Sequence, residues 1–126
     1  MRDFSGKTII VIDDNDSIIM LFTALLEAHQ ATVISFNRGR EFLAQASGLS
    51  ADLILLDIQM PDIDGYRVLD ELRTMPEMTS IPVLALTAHA MSGDKENILE
   101  MGFSGYIAKP VDTRAFPGQV AQFLDC

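Results

Sequence analysis

Four short apolar runs in this chain each stop on a polar residue, and that pattern restricts the fold more than any other feature. Thr8–Ile12 ends in Asp13-Asp14, Leu53–Leu56 in Asp57, Val83–Leu86 in Thr87 and Tyr106–Ala108 in Lys109-Pro110. Short apolar runs that alternate with longer amphipathic stretches are the mark of βαβ units and a parallel sheet. Parallel strands end at one edge of their sheet. Three carboxylates, a hydroxyl and an ammonium then converge where open α/β sheets bind ligands.

Five strands fit, at roughly 8–12, 32–36, 53–56, 82–87 and 105–108. Their near-continuous apolar character predicts burial on both faces. Helices fill the intervals. The stretch Asp16–His29 carries Ile18, Leu21, Phe22, Leu25 and Leu26 as a core-facing stripe. Asn37 is placed to cap a second helix reaching about Ala46. Asp64-Gly65 opens a third, with Val68, Leu69 and Leu72 inward. Ser92 is placed to cap a fourth that runs to about Met101, with Gly102 as its stop. Proline is tolerated only in a first helical turn, so Pro117 predicts a short turn at Asp112–Phe116 and a helix from about 117.

A length of 126 residues suits one domain with a real core, and 48% apolar and 21% charged residues are ordinary for a globular chain. No apolar run is long enough to span a bilayer, and no signal-peptide pattern is present. The single cysteine, Cys126, excludes an internal disulfide, and a cytoplasmic protein is the simplest reading. A net charge of −9 argues against binding nucleic acid. One domain over 1–126 is expected, with its core at about 6–124 and no output domain.

Asp13, Asp14 and Asp57 would repel one another within a few ångströms unless a cation joins them or their pKa values rise. A hard divalent ion suits such oxygen ligands, and Mg²⁺ often takes only one or two carboxylates plus a phosphate. A pure metal site has no use for an ammonium, but a phosphoryl site does. With Lys109 and Thr87 added, the set reads as a phosphoryl-transfer centre with a carboxylate nucleophile. Asp57 stands alone after the middle run and is the nucleophile candidate. Taken singly, each residue has a plainer role: turn former, capping hydroxyl or surface charge. One polar stop on each of four runs is what outweighs those roles.

The strings VIDDN, LILLDIQMPDIDG, LALTA and GYIAKP resemble, in order and spacing, the receiver domains of two-component response regulators, as in CheY-like single-domain receivers. The resemblance covers about residues 6–124. It implies a flavodoxin-like, doubly wound five-stranded parallel sheet of order 2-1-3-4-5 with five helices.

It also implies roles. Asp57 matches the phosphoaccepting aspartate. Asp13 and Asp14 match the acidic pair holding Mg²⁺, Asp14 directly and Asp13 largely through water, with the Gln59 backbone carbonyl a further ligand. Thr87 matches the hydroxyl drawn to the phosphoryl group, Lys109 the lysine that pairs with it, and Tyr106 the switch aromatic. Pro110 matches a proline whose preceding bond is usually cis. Side chains at Gln59 and His89 flank the water path in the family, so these two are expected to set the self-dephosphorylation rate. His29, at the end of the first helix, is expected to make a favourable contact with the helix dipole.

The implied partners are a sensor histidine kinase or histidine phosphotransfer protein as donor and a downstream protein as target. No nucleic acid and no membrane insertion are expected. The chain would modify itself without being a conventional enzyme. The donor is expected at Asn15, Pro61 and the exposed part of the first helix, where Ile18 or Ile19 is a candidate apolar spot. Readout is expected on the fourth helix, fifth strand and fifth helix. A haloacid-dehalogenase-type phosphatase would need a second Asp where Gln59 stands, and a flavodoxin would need a hydroxyl- and glycine-rich loop where Asp13–Asp16 stands. A phosphorylation-independent interaction module, a phosphorelay intermediate and a receiver from a larger hybrid kinase remain as alternatives.

Overall fold

The structure is a computed structural model that describes residues 3–88 and 94–124. The expectations for His89, Ser92 and Cys126 lie outside the described residues. The strands are β1 (Thr8–Ile12), β2 (Thr32–Phe36), β3 (Leu53–Asp57), β4 (Val83–Thr87) and β5 (Gly105–Ala108). The helices are α1 (Asp16–Glu27), α2 (Gly39–Gln45), α3 (Gly65–Leu72), α4 (Asp94–Glu100) and α5 (Phe116–Ala121). A single 3₁₀ turn, Ala46–Gly48, follows α2. The sheet is parallel throughout, in the expected order β2-β1-β3-β4-β5.

Side chains alternate across each strand, and the sheet therefore separates two cores. Ile10, Ile12, Ile54, Leu56, Val83 and Ala85 pack with Phe42, Leu69 and Ile98 from α2, α3 and α4. Ile9, Val11, Leu53, Leu55, Leu84 and Leu86 pack with Phe22, Leu26, Phe116 and Val120 from α1 and α5. The Phe22 and Phe116 rings stack at 4.7 Å between those two helices. Burial on both faces holds for β3 and β4 throughout and for β1 after Thr8. It fails for β2 and β5, because both are sheet edges: Thr32 and Ser35 are exposed, as is Ala108.

Several local expectations change. Leu21 is 37% exposed. Phe22 and Leu26 mark the centre of the buried arc, and Leu21 lies roughly 120° around the helix from it. Asn37 does not cap α2. Arg38 holds the cap position without a side-chain bond, while the Asn37 amide reaches Asp16 at 3.5 Å. α1 stops at Glu27, and His29 lies beyond it with its ring 5.4 Å from that of Phe4. Ile18 and Ile19 are both half-buried against the second core. The large exposed apolar residues of α1 are instead Met20 and Leu21.

Other boundaries hold. Asp64 caps α3 through a 3.0 Å bond from Arg67 N–H. Gly102 follows α4 at φ +109°, a conformation that suits a residue without a Cβ. Asp112 anchors the expected turn by accepting from the N–H groups of Ala115 and Phe116 through its carbonyl, and α5 carries Pro117 in its first turn. The Lys109-Pro110 bond is cis.

Candidate phosphoryl-accepting site

The register of β1 on β3 sets Ile12 beside Leu56, so Asp13 and Asp57 leave the sheet side by side. Asp57 itself pairs with Leu86 on β4, and Thr87 follows. Thr87 pairs with Ala108 on β5, and its carbonyl accepts from Lys109 N–H at 2.8 Å. Four strands thus bring their terminal polar residues to one place.

Asp13, Asp57 and Thr87 are the buried polar or charged residues among the described residues, at 0%, 4% and 1% exposure. Burying a charge without a partner is costly, so their shared position needs a counter-charge. Lys109 supplies part of it: its ammonium lies 2.6 Å from Asp13 Oδ2 and 3.6 Å from Asp57 Oδ2. The other oxygens use backbone donors. Asp13 Oδ1 accepts from Asn15 N–H at 2.9 Å, and Asp57 Oδ1 from Gln59 N–H at 3.0 Å. Burial pushes the Asp57 carboxyl up to about 7 against the pull of the Gln59 N–H. The Asp13 charge pushes further up, the Lys109 ammonium opposes it, and a hydrogen bond with the Asp14 carboxyl raises it again.

Those pressures are the ones a cation would relieve. One oxygen from each of Asp13, Asp14 and Asp57 lies within 4.8 Å of the others. Asp13 Oδ2 is closed off from solvent and makes no hydrogen bond besides its ion pair. Asp14 is exposed and opens the cluster to solvent. All the donors are oxygens, which suits Mg²⁺ and not a softer metal. The residues present therefore fit the expected ion.

The chain from Asp57 to α3 is held tightly. Ile58, Met60 and Ile63 turn into the first core, and Gln59 turns to solvent. Gly65 N–H donates to the Ile58 carbonyl at 3.1 Å. A Cβ at Gly65 would lie 2.5 Å from Ile58 Cα and 2.8 Å from the Asp57 carbonyl oxygen, so only glycine allows α3 to start so close to β3. Asp62 Oδ2 accepts from Arg40 N–H in α2 at 3.0 Å. Burial pushes the Asp62 carboxyl up, but the N–H groups of Arg40, Gly39, Asp62 and Ile63 outweigh it and hold it below its usual range.

The family is decided by what this arrangement matches. The response regulator receiver domain model matches residues 9–121. The chain belongs to that family, the receivers of two-component signalling. It is 42% identical over 107 residues to the signal transduction histidine-protein kinase BarA of Escherichia coli, covering 85% of this chain and 12% of BarA. The chain thus spans about one-eighth of that relative's length. It is 37% identical to the polar-differentiation response regulator DivK of Brucella anthropi, covering 94% of this chain and 96% of DivK. Among solved structures, the receiver domain of the sensor histidine kinase PA1611 from Pseudomonas aeruginosa superposes with a TM-score of 0.86. It is 29% identical and covers 97% of this chain and 100% of that one, and it holds a magnesium ion coordinated in its active site cleft.

The structure brings together Asp13, Asp14, Asp57, Thr87 and Lys109. Tyr106 stands apart on β5, half-buried against the first core. Sequence reasoning missed two supports. Asn15 caps α1, accepting from the N–H groups of Ser17 and Ile18 at 2.9 and 3.3 Å. An asparagine just before the apolar stripe was its signal. The Asp62–Arg40 bond joins residues 22 apart and has no local signature. Among the described residues, no helix is long and apolar enough to cross a membrane.

Proposed function

We propose that this receiver takes a phosphoryl group from a phosphohistidine onto Asp57. The observation that carries the reading is that Asp13, Asp57 and Thr87, buried together, share one sheet edge with the Lys109 ammonium. An Asp57 oxygen bonds to phosphorus as the phosphorus–nitrogen bond breaks, and the histidine ring leaves with the electron pair. Asp13, Asp14, Asp57 and the Gln59 carbonyl would hold Mg²⁺, which neutralises oxygen charge as the group transfers. Lys109 is near enough to Asp57 to take a phosphoryl oxygen. The Thr87 hydroxyl donates to another, and the space it leaves lets Tyr106 turn inward. That is a shift between two states driven by a local charge.

The switch would be read on the face made by α4, β5 and α5. A groove of about 510 Å³ lies there, floored by β5 and walled by Leu99, Gln119, Gln122 and Phe123. Tyr106 lines it, so a change of its rotamer alters the groove directly. The donor is a histidine kinase or phosphotransfer protein that meets Asn15, Pro61 and α1, where Met20 and Leu21 offer the exposed apolar atoms. Gln59 and His89 set how long the acyl phosphate lasts. Exchanging both and timing the loss of the phosphoryl group tests this, and an unchanged half-life refutes it. The chain modifies only itself and is not a conventional enzyme. Similarity to BarA supports a receiver within a hybrid kinase, and similarity to DivK supports one that works alone; the chemistry at Asp57 is common to both.

The test is intact mass after incubation with Mg²⁺ and acetyl phosphate, beside Asp57→Asn. One phosphoryl group gained by the wild type alone supports the reading. No gain from this donor or from a phosphorylated histidine kinase, with the fold intact, overturns it in favour of a phosphorylation-independent interaction module.

A further inference from the structure

We propose that Asp62 is a positioning residue for the metal-binding carbonyl of Gln59, acting by fastening the β3–α3 loop to the start of α2. The inference rests on the assignment of that carbonyl as a ligand. A backbone carbonyl has no side chain to hold it, so its place depends on what holds its loop.

Beyond the Ile58 N–H, which continues the sheet onto the Leu86 carbonyl, four hydrogen bonds bear on how residues 57–67 sit. Gln59 N–H reaches Asp57, Gly65 N–H reaches Ile58, Arg67 N–H reaches Asp64 and Arg40 N–H reaches Asp62. The first three close within the segment. Among the described residues, the Asp62 carboxylate, which also draws on the Gly39 N–H, is what ties it to a different helix. That helix also needs the bond. Arg38 at its cap position contributes no side-chain acceptor, and Arg40 is in its first turn, where N–H groups have no partner inside the helix.

The contact is close-fitting as well as polar. A Cβ at Gly39 would lie 2.5 Å from Ile63 Cγ2 and 3.1 Å from Met60 Cε. The start of α2 therefore rests against the two loop residues that flank Pro61 and Asp62. Met60 and Ile63 alone give a greasy contact that permits sliding. The directional bond to Asp62 fixes where along α2 the loop sits, and with it the Gln59 peptide two residues before Pro61. Outer residues that hold a ligand in place commonly matter to metal affinity by about tenfold.

The test is Mg²⁺ binding to the full chain by titration calorimetry, with amide hydrogen exchange at Arg40 as the structural readout. Asp62→Ala is expected to weaken Mg²⁺ by about tenfold and to speed exchange of the Arg40 N–H. Asp62→Asn keeps an acceptor oxygen and is expected to recover most of the affinity. Asp70→Asn, which removes a charge from α3 in the cleft that Arg40 and Asp62 also line, is expected to leave it unchanged. Arg40→Pro withdraws the donor instead, at the second position of the helix, the position Pro117 occupies in α5, and serves if Asp62→Ala does not fold. Faster Arg40 exchange with unchanged Mg²⁺ affinity overturns the inference, as does an equal loss in Asp70→Asn, which would mean charge alone. A wild type that binds no Mg²⁺ overturns the metal assignment itself.

Discussion

The loop after β1 and the loop after β3 bring carboxylates to the same point but are held by different means. The first is short and its turn fastens itself, while Asp13 N–H reaches the Phe36 carbonyl and its carboxylate the Lys109 ammonium. Asp13 accepts from Asn15 N–H two residues on, and Asn15 then caps α1 through Ser17 and Ile18. The second is longer and is held from outside. Its apolar residues enter a core built by α2 and α3, its far end passes under β3 at Gly65, and Asp62 reaches across to α2. Those local bonds, with the sheet and Lys109 behind them, make the acidic pair insensitive to how the helices are placed. Long-range bonds make the Gln59 side of the site dependent on how α2 is placed.

The largest expected effect is on the second loop. Gly65→Ala places a methyl against backbone, which cannot rotate away, and should cost about 3 kcal/mol, read as a lower urea midpoint. Gly39→Ala meets no backbone, but Ile63 Cγ2 is a branch methyl that yields only if the stiff Ile63 χ1 or its loop shifts. Its cost should be nearer about 2 kcal/mol. Equal costs at the two glycines would mean that the loop moves as freely at β3 as at α2, and the contrast drawn here would collapse.

Next in size is the electrostatic load where the loops meet. Without metal, Asp57 titrates near 7 in the folded chain against 3.8 in the unfolded one. The fold favours its neutral form, so its contribution to stability is full below about pH 4 and is lost as pH rises through 7. Asp57→Asn removes that loss. In EDTA at pH 8 the variant should be more stable than the wild type by on the order of 2 kcal/mol after solvent screening. The gap should close toward pH 4 and narrow when Mg²⁺ is added at pH 8. Urea midpoints across pH, with and without Mg²⁺, measure it, and a gap independent of pH would remove Asp57 as its source.

The same division explains what could be read from the sequence. Strands, their order and the five converging residues follow from apolar runs, their polar stops and four family motifs, all of which are local strings. Asp64 before Gly65 and Gly102 after α4 were legible because a cap and a stop act within a few residues. The cap of α2 was not. Asn37 has the right chemistry one residue too early, and the acceptor that serves α2 arrives from Asp62. Exposure of β2 was hidden for a related reason: Val33 and Ile34 read like core as a local string, and the strand is an edge only through the order that the family resemblance implied.

The smallest effect separates the loops most cleanly. Asn15→Ala removes the cap of α1 and should cost about 1 kcal/mol in urea unfolding. The Asn15 N–H that binds Asp13 belongs to the backbone and survives the substitution. Asp13 therefore keeps its place, and Mg²⁺ affinity should stay within about twofold of wild type, less than 0.5 kcal/mol. Asp62→Ala predicts the reverse balance, with affinity falling more than stability. If Asn15→Ala weakened Mg²⁺ as much as Asp62→Ala, the acidic pair would depend on the position of α1 after all, and neither loop could be called self-supporting.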